Sequence, residues 1–120
     1  MIGDYFMNKY DVDFRCLRYP GVISSEKYAF NGTACWSTQI FFDMLEKGEY
    51  KCFIDKDEAI PTMYIDDCID ATIKLIKADP ARLTRSTYNL AGISLKPSDL
   101  APVLEKLIPG AKVVYEPDFR

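Results

Sequence analysis

Two spacings of apolar residues alternate along these 120 residues. Met1 to Tyr10 reads as the end of a helix, and Val12, Phe14, Cys16 and Leu17 then supply a strand from about Val12 to Tyr19. Pro20-Gly21 ends that strand, with Val22 and Ile23 close to the sheet edge. A polar loop from Ser24 to Gly32 follows. Ile40, Phe41, Met44 and Leu45 form an apolar stripe at helical spacing, and Lys47-Gly48 closes the helix. Tyr50 to Ile54 predicts a short strand, and Asp55-Lys-Asp-Glu58 a solvated charged turn.

The second half repeats the alternation. Met63-Tyr-Ile65 predicts a short strand running into Asp66-Asp67, one of which is expected to cap a helix whose Ile69, Ile73 and Ile76 share a face. Ser86 to Ala91 reads as another strand. Gly92 turns the chain towards a helix carrying Leu100, Val103, Leu104 and Leu107. Pro97 suits its first turn, whereas Pro102 removes a hydrogen bond and predicts a late start or a kink. Pro109-Gly110 ends this helix, and Lys112 to Tyr115 predicts a final strand. Strands alternating with helices indicate an α/β fold.

Composition narrows the function classes. A net charge of −3, with no basic stripe interleaved with aromatics, argues against a nucleic-acid surface. No apolar run approaches the ~20 residues of a membrane helix, and the N-terminus has no secretory signal pattern. Cys16, Cys35, Cys52 and Cys68 make no C-x-x-C pair, and the chain has no histidine, so a zinc site is not expected and four reduced thiols are. Asn31-Gly-Thr33 matches a glycosylation acceptor only as a short pattern.

The strongest local signal is Asp13 to Ser24, a strand that stops at a Pro-Gly turn, where α/β proteins usually bind ligands. Taken with Gly32-Thr33, Gln39-Ile-Phe-Phe42, Met63-Tyr-Ile-Asp-Asp-Cys68 and Thr87-Tyr-Asn-Leu90, it resembles the extended short-chain dehydrogenase/reductase family, most closely its threonine-dehydrogenase branch. The resemblance runs from Gly3-Asp4-Tyr5 to Arg120, with Ser25 to Asn31 poorly matched. It implies the C-terminal portion of an NAD(P)-binding Rossmann-type enzyme without the N-terminal nucleotide-binding half, residues 1–120 comprising a partial Rossmann core plus a substrate-binding lobe. The family's G-x-G-x-x-G turn is not found, since the glycines at 3, 21, 32, 48, 92 and 110 are scattered. Tyr5-Phe-Met-Asn-Lys9 satisfies the family's Tyr-x-x-x-Lys literally but stands too close to the Asp13 strand. Tyr5 is instead expected to pack and Lys9 to sit favourably at a helix C-terminus. No catalytic residue is assigned, and Met1 falls just after the position of the family's lysine.

The resemblance carries sites over residue by residue. The turn at Tyr19, Pro20, Gly21 and especially Val22 passes the nicotinamide of NAD, presenting main-chain groups to its carboxamide. Thr33 matches a substrate-pocket threonine, with helix capping as its structural alternative. Ala34-Cys35 replaces the family's hydroxyl and carboxylate, removing an acidic partner for the substrate's ammonium group. The implied whole-enzyme reaction oxidises L-threonine at its β-hydroxyl to 2-amino-3-oxobutanoate with NAD. It also implies a homodimer, mitochondrial in eukaryotes and cytoplasmic in bacteria. The alternatives are another extended short-chain enzyme, such as a nucleotide-sugar epimerase, and a non-enzymatic remnant or interaction module. The chain alone is expected to be inactive.

Overall fold

The computed structural model describes residues 2–26 and 36–118. Four α-helices and seven strands occur among them: α1 (Ile2–Tyr10), β1 (Cys16–Arg18), β2 (Gly21–Ile23), α2 (Trp36–Lys47), β3 (Glu49–Cys52), β4 (Ile60–Tyr64), α3 (Ile65–Lys77), β5 (Thr87–Asn89), β6 (Ile93–Leu95), α4 (Pro97–Leu107) and β7 (Lys112–Tyr115). They form three small sheets, β1-β5, β2-β4-β6 and β3-β7. All pairings are parallel except β4 with β6.

Two ribbons link the first two sheets. β1 and β5 pair side by side, Leu17 opposite Tyr88. Each then continues into another strand, β1 into β2 through Tyr19-Pro20 and β5 into β6 through Leu90 to Gly92. β4 lies between β2 and β6, parallel to the first and antiparallel to the second, so β2 and β6 run in opposite directions on either side of it. Leu90 donates to the Arg18 carbonyl at 3.0 Å just before the two ribbons part. Gly92 must pass directly over β4, because a Cβ there would lie 2.2 Å from the Thr62 carbonyl oxygen.

One core cluster joins α2, β3 and α4. Trp36, Ile40 and Met44 of α2 pack with Tyr50 and Cys52 of β3, Leu104 of α4 and Ala111. The α2 stripe is narrower than expected, since Leu45 is exposed. α4 begins at Pro97 with Lys96 as N-cap and runs on through Pro102, so no late start occurs. The Asp55 to Glu58 segment is the exposed turn foreseen, tied to α4 by Ser98 N–H donating to the Lys56 carbonyl at 2.9 Å. The radius of gyration, 18.2 Å, exceeds the about 14 Å of a compact chain of this length. Consequently much apolar surface stays open: Ile69, Ile73 and Ile76 share a face of α3 and are all exposed.

Three expectations are corrected. The strand from Val12 to Tyr19 is reduced to Cys16–Arg18, because Arg15 turns its side chain onto the end of α3. Its Nη1 donates to the carbonyls of Leu75 at 2.5 Å, Ile76 at 2.9 Å and Ala78 at 2.8 Å, while Nε and Nη2 bind the Asp13 carboxylate. These are the orphan acceptors a helix C-terminus leaves. Neither Asp66 nor Asp67 caps α3, whose N-cap is Tyr64 without a side-chain bond; both lie inside the first turn, where their charge complements the helix dipole. Finally, the residues after Gly92, expected only to turn towards α4, form β6 because β4 lies alongside to pair with them.

Arg15 hydrogen bonding holds the Asp13 carboxyl below the ordinary 3.8 of an aspartate. A depressed carboxylate stabilises the fold above its unfolded pKa and loses that contribution as pH falls through the folded value, so this clamp should weaken only below about pH 4. Arg15→Met should strip amide-exchange protection from the last turn of α3 while leaving β3 and β7 protected. Equal protection in the variant would refute the clamp.

Candidate functional site

The crossover at Tyr19-Pro20 sits where the chain leaves one parallel ladder and joins another. Arg18 is the last residue paired with β5, and Gly21 the first paired with β4. Proline between them has no N–H to give to either ladder. Such a divergence beyond the carboxyl ends of parallel strands opens a crevice, the usual ligand position in α/β sheets.

β2 divides that crevice, since Val22 and Ile23 point to opposite faces. On one side is an apolar groove of about 320 Å³ lined by Tyr19, Val22, Ile65, Cys68, Ile69, Thr72 and Ile73. On the other is a cleft of about 450 Å³ bounded by Ile23, Thr62 to Tyr64, Asp67 and Ala91 to Ile93. Thr38 at the start of α2 donates to the Val22 carbonyl at 3.2 Å, fixing β2 against that helix. Gly21 packs closely on β4, its Cβ position lying 3.2 Å from the Pro61 carbonyl oxygen. Burial raises the Cys68 thiol pKa, with the Asp67 charge adding to it, so the thiol stays protonated and acts as a small apolar wall.

Of the residues singled out from sequence, Tyr19 and Val22 meet in the groove, while Pro20 and Gly21 shape the crossover beside it. Thr33, Ala34 and Cys35 lie outside the described residues. Sequence reasoning missed Thr72, Cys68 and the Ile65-Ile69 wall. Their helical spacing was visible, but not the face they turn to β2. The groove is walled almost wholly by apolar side chains beside the Thr72 hydroxyl, a lining that fits the face of a flat ring. Among the described residues no glycine-rich turn or cation cluster is placed for a pyrophosphate, and no group of three metal-ligating side chains occurs.

Tyr5 and Lys9 are placed away from this crevice. Ser86, just before β5, donates to Asp4 at 2.8 Å, and the Phe14 ring packs over Gly3, so α1 is tied to the residues that precede β5 and β1. The ligand crevice is at the opposite ends of those strands. Lys9 Nζ donates to the Tyr5 hydroxyl at 2.6 Å, which raises the lysine pKa. Tyr5 is 50% exposed, so it does not pack inward as expected; it meets Phe6 and Tyr10 edge-on.

No protein-family model matches the chain. Individual proteins do. The crystal structure of L-threonine dehydrogenase from Phytophthora infestans superposes with a TM-score of 0.91 at 42% identity, covering 98% of this chain and 38% of that one. The mitochondrial L-threonine 3-dehydrogenase of Bos taurus is 38% identical over 118 residues, 98% of this chain and 32% of the relative. Over this shared length the chain is homologous to the L-threonine 3-dehydrogenases. An uncharacterized epimerase/dehydratase of Staphylococcus haemolyticus is 40% identical over 119 residues. The chain thus spans about a third of the length of the curated relatives it matches. Its α/β arrangement reproduces part of the threonine dehydrogenase fold, consistent with the C-terminal portion expected of a Rossmann-type extended short-chain dehydrogenase. No helix among the described residues is long and apolar enough to cross a membrane.

Proposed function

We propose that this chain supplies the nicotinamide-facing turn and part of the substrate lobe of an NAD-dependent L-threonine 3-dehydrogenase, which converts L-threonine to 2-amino-3-oxobutanoate. The observation that carries this reading is the crossover at Tyr19 to Val22, within a fold that matches a threonine dehydrogenase at 42% identity. In this reading β1, β5, α1 and α3 are the Rossmann-core portion, and the remaining elements are the substrate-binding lobe. Tyr19, Pro20, Gly21 and Val22 present main-chain groups to the cofactor carboxamide, and Thr33 offers a hydroxyl to the amino acid. Bound NAD supplies the hydride acceptor. The protein's contribution at this turn is orientation, worth most when the reacting atoms are already aligned. The proposed whole enzyme is a homodimer, mitochondrial if eukaryotic and cytoplasmic if bacterial.

The Staphylococcus haemolyticus relative, 40% identical and described as an epimerase/dehydratase, favours a second reading in which the substrate is a nucleotide sugar. Grafting residues 2–118 in place of the matching segment of the Phytophthora infestans enzyme separates the two. Threonine-dependent NAD reduction is expected, about ten- to a hundredfold below the parent because Ala34-Cys35 lacks the acidic partner for the ammonium group, a loss of roughly 1.4–2.8 kcal/mol of transition-state stabilisation. Conversion of a UDP-sugar with no threonine oxidation would overturn the proposal in favour of the epimerase. The 120-residue chain assayed alone should give no threonine-dependent NAD reduction above a boiled control, and reproducible turnover would contradict that expectation.

A further inference from the structure

We propose that Thr72 is a positioning residue that latches the ligand-facing crossover to α3 through the hydroxyl of Tyr19. The Tyr19 hydroxyl lies 2.5 Å from Thr72 Oγ1, 53 positions along the chain. Thr72 Oγ1 in turn lies 2.7 Å from the Cys68 carbonyl oxygen, which can only accept. The single hydroxyl proton of Thr72 is therefore committed to Cys68, and Tyr19 must be the donor in the longer-range contact. A directed relay results: Tyr19 to Thr72 to the backbone of α3.

Its placement gives it a task. Tyr19 and Pro20 lie between two ladders, and Pro20 has no N–H, so β-pairing does not span the crossover. Tyr19 is half exposed, which leaves its ring without the dense packing that holds a core aromatic. The hydrogen bond to Thr72 compensates for both, setting the angle at which the chain passes from Arg18 to Gly21. The same relay spends the Tyr19 hydroxyl on α3, so this residue reaches a ligand through its main chain and ring face. Thr72 also lines the groove beside Val22, and its hydroxyl belongs to the wall a ligand would meet. This assignment deepens the nicotinamide reading above and rests on it only where the ligand is concerned.

The test uses the full 120-residue chain, with Tyr19→Phe, Thr72→Val and Thr72→Ser compared by amide hydrogen exchange and by titration with nicotinamide mononucleotide. Tyr19→Phe and Thr72→Val keep the shape of the groove and remove one hydroxyl each. Exchange at Gly21 to Ile23 should quicken about fivefold in both, the worth of one ordinary hydrogen bond. Thr72→Ser should restore the wild-type rate, while Tyr50, Cys52 and Val113 stay equally protected in all variants. Weaker probe affinity in Thr72→Val, recovered in Thr72→Ser, supports the role towards a ligand. Unchanged exchange in Thr72→Val overturns the latch whatever the probe does. Faster exchange with no probe binding even to the unsubstituted chain upholds the latch on the crossover, and the nicotinamide reading is then decided by the threonine-dependent NAD reduction of the grafted enzyme.

Discussion

Gly92→Ala should destabilise the chain by about 3 kcal/mol and detach β6 from β4. The added methyl would lie 2.2 Å from the carbonyl oxygen and 2.7 Å from the carbonyl carbon of Thr62, both backbone atoms of the central strand. Backbone cannot swing aside as a long side chain can, so one ribbon must lift. Because Ala91 to Ile93 form a wall of the larger cleft, lifting β6 also reshapes that cleft. Gly110→Ala is the control. It meets nothing within 4 Å and strains only a φ of 86°, for an expected cost of about 1 kcal/mol. Urea unfolding of both variants measures the difference, and equal midpoints would show that β6 does not depend on this close approach.

Trp36→Ala should cost about 3–5 kcal/mol, the range for truncating a large buried aromatic. Trp36 is 1% exposed and opens α2 against the cluster of buried residues that joins α2, β3 and α4. Small domains have net stabilities of roughly 5–15 kcal/mol. A chain this elongated, with three isoleucines exposed on one helix, is expected near the lower end. The variant should therefore be largely unfolded at 37 °C by circular dichroism, and a cooperative thermal transition within a few degrees of the parent would show that the core lies elsewhere. Thr38, two residues on in α2, holds the Val22 carbonyl, so the same substitution should loosen the crossover as well.

Most elements were legible from sequence because they rest on short-range patterns. Ile40 and Met44 mark α2, Pro97 marks the first turn of α4, and Lys112 to Tyr115 marks the last strand. The break between β1 and β2 was legible too, since Pro20-Gly21 interrupts an apolar run. What failed depended on distant partners. Arg15 looked like one more strand residue until three carbonyls some sixty positions away claimed it. Ile93-Ser-Leu95 is too short to announce a strand, and becomes one only because Thr62 to Ile60 lie alongside. Asp66 and Asp67 suggested a cap, but Tyr64 ends the preceding strand and α3 starts directly after it.

Sequence by itself determined the alternation of strands and helices, the arrest at Pro20-Gly21 and the kinship with threonine dehydrogenases, all properties of residues near in the chain. Tertiary structure alone decided that β4 lies between β2 and an antiparallel β6, that Tyr19 is tied to Thr72, and that Val22 and Ile23 face different hollows. Local spacing states which side chains share a face; which partner that face meets is settled by pairings across about thirty to seventy residues, where each contact depends on all the others being made.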